Sequence, residues 1–201
     1  MLPKIDPLEL RRQHFPFDHD DWFFEIKHDG FRAVAYIENG KCTLVSRNDN
    51  TFKRFGDLAL AIPDDLKAQN AFLDGEIVVL GGDGRAQFYD LMAMRRKTVF
   101  AAFDLMWLNG KDLRDAPVHA RKETSRKQIR KTRRMFFVDH LERTGKAMFA
   151  EIRARDMEGI VCKPAISPYR LVNDKTTWIK VKNPKYSQAE GRHELFNEPR
   201  R

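Results

Sequence analysis

The sequence predicts an α+β protein of antiparallel sheets flanked by helices, and three observations carry that reading. Residues 31–38 (FRAVAYIE) and 41–46 (KCTLVS) flank Asn39-Gly40, a two-residue hairpin signal. The apolar run 71–80 (AFLDGEIVVL) is closed by a GGDG turn at 81–84. A further run, 99–108 (VFAAFDLMWL), stops at Asn109-Gly110.

The remaining elements follow in order. A helix is expected at 56–62, between the hairpin and the third strand, and another at 86–95, after the GGDG turn. Longer helices are expected at 117–132 and 141–155, with short strands at 135–138, 158–163 and 177–182. No repeat, Pro-rich linker or low-complexity block divides the chain, so one domain is expected over 1–185, followed by a tail at 186–201.

Composition narrows the class of function. Fifteen Phe and three Trp supply a sizeable core. No apolar run reaches the roughly eighteen residues of a membrane span, and the N-terminus has no apolar stretch before a cleavage site. Cys42 and Cys162 stand apart, without zinc or disulfide spacing, and the six His are scattered, which suits a reducing cytoplasm. Thirty-seven Lys and Arg against twenty-nine Asp and Glu give a net charge of +8. Such an excess favours a polyanionic partner, because phosphate contacts release condensed counterions. The stretch 121–134 (RKETSRKQIRKTRR) holds eight basic residues in fourteen, and reads either as a solvated helix face or as an arm on nucleic-acid phosphates. The GGDG segment lacks the Lys-Ser/Thr of a P-loop and reads as a turn.

The chemistry-bearing residues lie in strands. Glu25-Ile26-Lys27-His28-Asp29-Gly30-Phe31-Arg32 sets a lysine among charged neighbours just before a strand. Asp74-Gly75-Glu76 interrupts an apolar run, where an acid is costly unless paired or bound to a cation. Glu158-Gly159-Ile160-Val161-Cys162-Lys163 repeats that pattern of acid, apolar run and base. In Trp178-Ile179-Lys180-Val181-Lys182 the alternation puts both lysines on one face. Brought to one cleft, Glu76 and Glu158 would suit a divalent cation, and Lys180, Lys182 and Arg32 would hold phosphates. Cations clustered around Lys27 are expected to depress its pKa and supply a nucleophilic amine.

The set KxDGxR at 27–32, SRN at 46–48, DGE at 74–76, FD at 103–104, EGIVCK at 158–163 and WIKVK at 178–182 resembles the motif series of the covalent nucleotidyltransferases. Within them it is similar to ATP-dependent DNA ligases, with the compact spacing of the ligase domain of bacterial end-joining repair ligases. The resemblance spans about residues 20–195 and implies the ATP-grasp-like adenylation fold over 1–185. It implies that Lys27 forms a phosphoramide with AMP from ATP, with Mg²⁺ or Mn²⁺ as the metal, while Lys180 and Lys182 grip the α-phosphate. Glu25 would lie near the adenine and Phe103 would stack on it. Arg32 and Arg47 would contact ribose or the nick phosphate, Glu76 would bind ribose or the metal, and Glu158 would sit at the metal. Lys163, which ends the EGIVCK motif, is counted with the nucleotide-binding residues. The implied substrate is nicked duplex DNA, handled by a monomer in the bacterial cytoplasm.

Simpler readings accompany several of these residues. Phe103 and Trp178 suit a core, Asp29, Asp74 and Asp104 suit structural acceptors in turns or strands, and Gly30 suits close backbone approach. About nineteen residues follow Lys182, too few for the OB-fold domain that family ligases usually carry next. Four readings therefore stand beside one another: a minimal DNA ligase, an adenylating core that works with an OB-fold or DNA-end-binding partner in trans, a non-catalytic end-binding module, and an RNA ligase or GTP-dependent capping enzyme.

Overall fold

The computed structural model describes residues 5–190. One sheet combines β3 (Phe31–Glu38), β4 (Lys41–Ser46), β5 (Ala71–Val78), β6 (Val99–Leu108), β7 (Lys111–Asp112) and β8 (Met135–Phe137). Its order is β4-β3-β5-β6-β7, and β8 joins β6 in parallel. Both Asn-Gly hairpins form: Asn39, Gly40, Asn109 and Gly110 all have positive φ, as a twist-matched two-residue turn requires. The other sheet combines β1 (Arg11–Gln13), β2 (His19–Ile26), β9 (His140–Arg143), β10 (Gly159–Pro164) and β11 (Ile179–Lys182), ordered β1-β11-β10-β2-β9. Its pairings are antiparallel apart from β1 with β11.

Strand alternation gives each sheet an apolar outer face and an inner face that is apolar in part. Ala33, Ala35 and Ile37 of β3 turn outward with Leu44, Leu73 and Phe100, where Leu58 of α1 (Gly56–Ala61) and Leu91 of α2 (Phe88–Met92) cover them. On the other side Val34, Phe72 and Met106 meet Phe23 and Trp178 from the second sheet. The outer face of that sheet, with Phe24, Ile160, Cys162, Ile179 and Val181, is covered by Met148, Phe149 and Ile152 of α4 (Gly145–Ala154). The layers are therefore helix, sheet, sheet, helix, with an apolar seam between the sheets. The helix α3 (Val118–Gln128) lies along β6 and adds Val118 to that seam.

The departures from the sequence reading have local causes. The helix expected at 141–155 starts only at Gly145, because Leu141 and His140 pair as an edge strand with Phe24 and Glu25. A Cβ at Gly145 would lie 2.3 Å from Phe17 O, so this crossing requires glycine. The strand β2 escaped notice because HDDWFFEI opens on three polar residues, and β1 (RRQ) has no apolar residue at all. The expected helix at 117–132 ends at Gln128, after which Ile129 is extended and bridges Leu66. The expected helix at 86–95 shrinks to 88–92.

The described part of the 186–201 segment packs onto the body. Tyr186 Oη donates to Asp29 Oδ2 at 2.9 Å, and Gln188 bonds both Phe88 N and Ala86 O at 2.7 Å. Residues 191–201 of that expected tail lie outside the described residues. Among the described residues no helix is long and apolar enough to cross a membrane.

Candidate active site

Beside the apolar seam the two sheets part around a pocket of about 610 Å³. One wall is a cross-strand row of the second sheet, where Val161 pairs with Glu25 on one side and Lys180 on the other. The facing wall holds Arg32 and Glu76, which are partners across β3 and β5. Glu25, Lys27, Arg32, Arg47, Glu76, Phe103, Lys163 and Lys180 all line the pocket. Glu158 and Lys182 stand outside the lining and join it through Lys27.

Two glycines bring the charged groups this close. At Gly30 a Cβ would lie 2.1 Å from Ile77 O, so only glycine lets the 27–30 segment cross β5. At Gly159, φ is +155° and a Cβ would lie 2.2 Å from Val181 O. The backbone N–H of Lys27 then donates to Gly159 O at 2.9 Å, which pins the lysine beside Glu158.

Lys27 Nζ donates to Glu158 Oε2 at 2.7 Å, and Lys182 Nζ lies 3.1 Å from Glu158 Oε1. Burial disfavours the Lys27 ammonium, but Glu158, Glu76 and Asp29 outweigh that and hold its pKa above the ordinary lysine value. The expected depression of Lys27 is therefore overturned. Its nearest charges are carboxylates, and the cations stand behind them. Burial alone would raise Glu158, yet Lys27 and Lys182 bring it below the usual carboxylate range. The neutral form is favoured instead at Glu76, where burial, helped by Glu158 and Asp29, pushes the carboxyl up to about 8 against Lys27 and Arg32. The pKa of Lys180 is lowered by partial burial and by its neighbours Lys27 and Lys182.

A second cluster closes the other end. Glu25 is 1% exposed and takes Lys122 Nζ at 2.6 Å and Lys163 Nζ at 2.8 Å. Lys163 also donates to Phe103 O at 3.2 Å and lies over the rings of Trp178 (4.1 Å) and Phe103 (5.0 Å). Trp178 is buried in the seam and also lines the pocket, so it both packs and shapes the site. Arg32 forms a two-bond pair with Asp74 (3.1 and 2.7 Å) and faces the Phe103 ring at 5.6 Å. Tyr169 Oη completes Asp74 with a 2.6 Å bond, which makes Asp74 a structural acceptor. His28 lines the pocket with Nδ1 unpaired, its pKa held near 4 by burial and by Lys27.

The basic run at 121–134 is neither one solvated face nor one phosphate arm. Arg121 is wholly buried and bonded to both oxygens of Asp104, at 2.8 and 2.9 Å. Lys122 is bound to Glu25, whereas Arg126 and Lys127 are exposed and pair with Asp139 and Glu123. Sequence reasoning missed Lys122. The available signal was its place on the buried stripe Val118, Arg121, Lys122 and Ser125, whose spacing is that of one helix face.

Among the described residues no three His, Cys, Asp or Glu form a metal cluster. Glu76 and Glu158 nevertheless fit Mg²⁺ or Mn²⁺. Magnesium commonly takes one or two carboxylates and completes its shell with water and substrate phosphates. The Glu76 carboxylate makes no hydrogen bond or ion pair among the described residues, and a cation would offset the burial, and the nearby Glu158 and Asp29, that push it up.

The arrangement thus sets a lysine amine, two acids and further lysines around a pocket of nucleotide size. A family model described as the ATP dependent DNA ligase domain matches residues 9–182. The SPbeta prophage-derived DNA ligase-like protein LigB of Bacillus subtilis is 28% identical over 193 residues, covering 92% of this chain and 70% of that protein. The multifunctional non-homologous end joining protein LigD of Pseudomonas aeruginosa is 30% identical over 170 residues, covering 81% of this chain but 20% of its own length. Among solved structures, the ligase domain of M. tuberculosis LigD superposes with a TM-score of 0.72 at 26% identity, over 86% of this chain and 58% of that one. A mycobacterial DNA ligase D complexed with ATP and MES gives 0.70 at 26%, over 87% and 60%.

Proposed function

The chain belongs to the ATP-dependent DNA ligase domain family, and from that premise we propose that it adenylates itself on Lys27 and seals 5′-phosphate/3′-hydroxyl nicks in DNA. The observation that carries the reading is the chain of contacts Lys27–Glu158–Lys182, with Glu76 and Lys180 beside it. Mere DNA binding needs neither a nucleophile nor paired acids.

The chemistry follows from the charges. Lys27 is an ammonium at rest and must lose a proton before its amine attacks the α-phosphorus of ATP. The bond to Glu158 Oε2 gives that proton a route out and aims Nζ. As the P–N bond forms, the bond to pyrophosphate breaks, and Lys180 and Lys182 offset the growing charge on the phosphoryl oxygens. Glu76 and Glu158 would hold Mg²⁺ or Mn²⁺, which would supply Lewis-acid polarisation of the phosphoryl oxygens. Arg32 and Arg47 stand at the pocket wall to hold ribose or the nick phosphate, and Phe103 offers a ring to the base. The adenylyl group then passes to the DNA 5′-phosphate, and the 3′-hydroxyl displaces AMP.

Sealing of a nicked duplex by the purified chain, given ATP and Mg²⁺, tests the whole cycle. Ligated product that disappears in Lys27→Ala supports it. Adenylation without sealing would assign the chain to an adenylating core that works with an OB-fold or DNA-end-binding partner.

A further inference from the structure

Lys27 sits on a stretch without regular structure, since residues 27–30 join β2 to β3 and belong to neither strand. A side chain on such a stretch is aimed only as well as the stretch is anchored. Two anchors are the bond from Lys27 N to Gly159 O and the close crossing of Gly30 at Ile77 O. A third comes from the segment that leaves β11. There the buried Tyr186 donates from Oη to Asp29 Oδ2 at 2.9 Å, and the buried Asp29 lies two residues from Lys27.

The same segment also grips the partner of the nucleophile. Asn183 N donates to Glu158 O at 2.8 Å, and Asn183 Nδ2 donates to Met157 O at 3.1 Å. The carboxylate that bonds Lys27 Nζ is thereby held at its own backbone. Beyond Tyr186, Ser187 N donates to Asp156 Oδ1 at 2.9 Å, and Gln188 bonds Phe88 N and Ala86 O. Residues 183–188 thus tie Glu158, which bonds the Lys27 side chain, to Asp29, which adjoins its backbone. A phenylalanine would fill the space of Tyr186 equally well, so what the hydroxyl adds is a fixed place for Asp29. Resting on the adenylation reading above, we propose that Tyr186 is a positioning residue for the nucleophile. Through Asp29 it fixes the 27–30 segment against Glu158, so that Lys27 Nζ is aimed at the α-phosphorus of ATP.

Single-turnover nucleotidylation of the full chain by ATP and Mg²⁺ tests this, because it reads the rate constant apart from the competent fraction. Misplacing a reacting group by about 1 Å costs on the order of a hundredfold in rate, and with two other anchors left Tyr186→Phe should cost about tenfold at saturating ATP. The half-saturating ATP concentration should stay within about twofold, and the final yield of adduct per protein should match the wild type. Should the Phe variant not fold, Ser187→Ala with Gln188→Ala loosens the segment from its exposed side and should give the same pattern with a smaller fall in rate. A lower yield and melting temperature with an unchanged rate constant would reduce Tyr186 to a structural bond and overturn the proposal. A loss confined to the half-saturating concentration would assign Tyr186 to nucleotide binding and overturn it as well. In these cases the wild type still forms its adduct and the adenylation reading stands. No adduct from the wild type would overturn both.

Discussion

At Lys27 the structure inverts a natural guess about nucleophiles. Burial disfavours the ammonium, yet Glu158, Glu76 and Asp29 hold its pKa above the ordinary lysine value, so the reactive amine is scarce near neutral pH. The adenylation rate should therefore climb by about one log unit per pH unit from 6 to 9. A flat profile would contradict a Lys27 that rests as the ammonium. Glu76 gives a second pH signature. Its folded value of about 8 exceeds the ordinary 4.5, so the folded state holds this proton more tightly. Its contribution to stability is full below 4.5 and is lost as pH rises through 8. Denaturant unfolding should show that downward slope, Glu76→Gln should flatten it, and Mg²⁺ should stabilise the protein more at pH 8 than at pH 6. Glu76 was legible because charge inside an apolar strand demands a reason, and Glu158 and Lys163 because they bracket an apolar run. The direction of the Lys27 shift was not, since it depends on which charges stand nearest.

At the scale of elements, α3 shows how one basic segment divides. Arg121→Ala would strand Asp104, whose oxygens it holds at 2.8 and 2.9 Å in the core, and should cost about 3–5 kcal/mol of stability. Arg126→Ala, at an exposed pair, should cost about 1 kcal/mol or less. Equal losses in urea unfolding would contradict this division. The Asn-Gly hairpins were readable because the turn chemistry is local. The helix start at Gly145 was not, because β9 forms only by pairing with β2, more than a hundred residues away in sequence.

For the whole molecule, the strand order was the least legible feature. β1, β2 and β9 are short or polar, yet they complete the sheet that carries Glu25 and Lys180. The layered fold leaves Arg126, Arg130, Lys131 and Arg133 exposed on one short stretch, where nucleic acid can reach them. Neutralising three of these should weaken binding to nicked DNA and flatten its dependence on salt. An unchanged slope would confine DNA contact to other surfaces.

The most direct test of the account is the intact mass of the protein after incubation with ATP and Mg²⁺. The prediction is a gain of one adenylyl group, lost on acid treatment, mapped to Lys27 and missing from Lys27→Ala. No gain, or a gain that survives in Lys27→Ala, would contradict it.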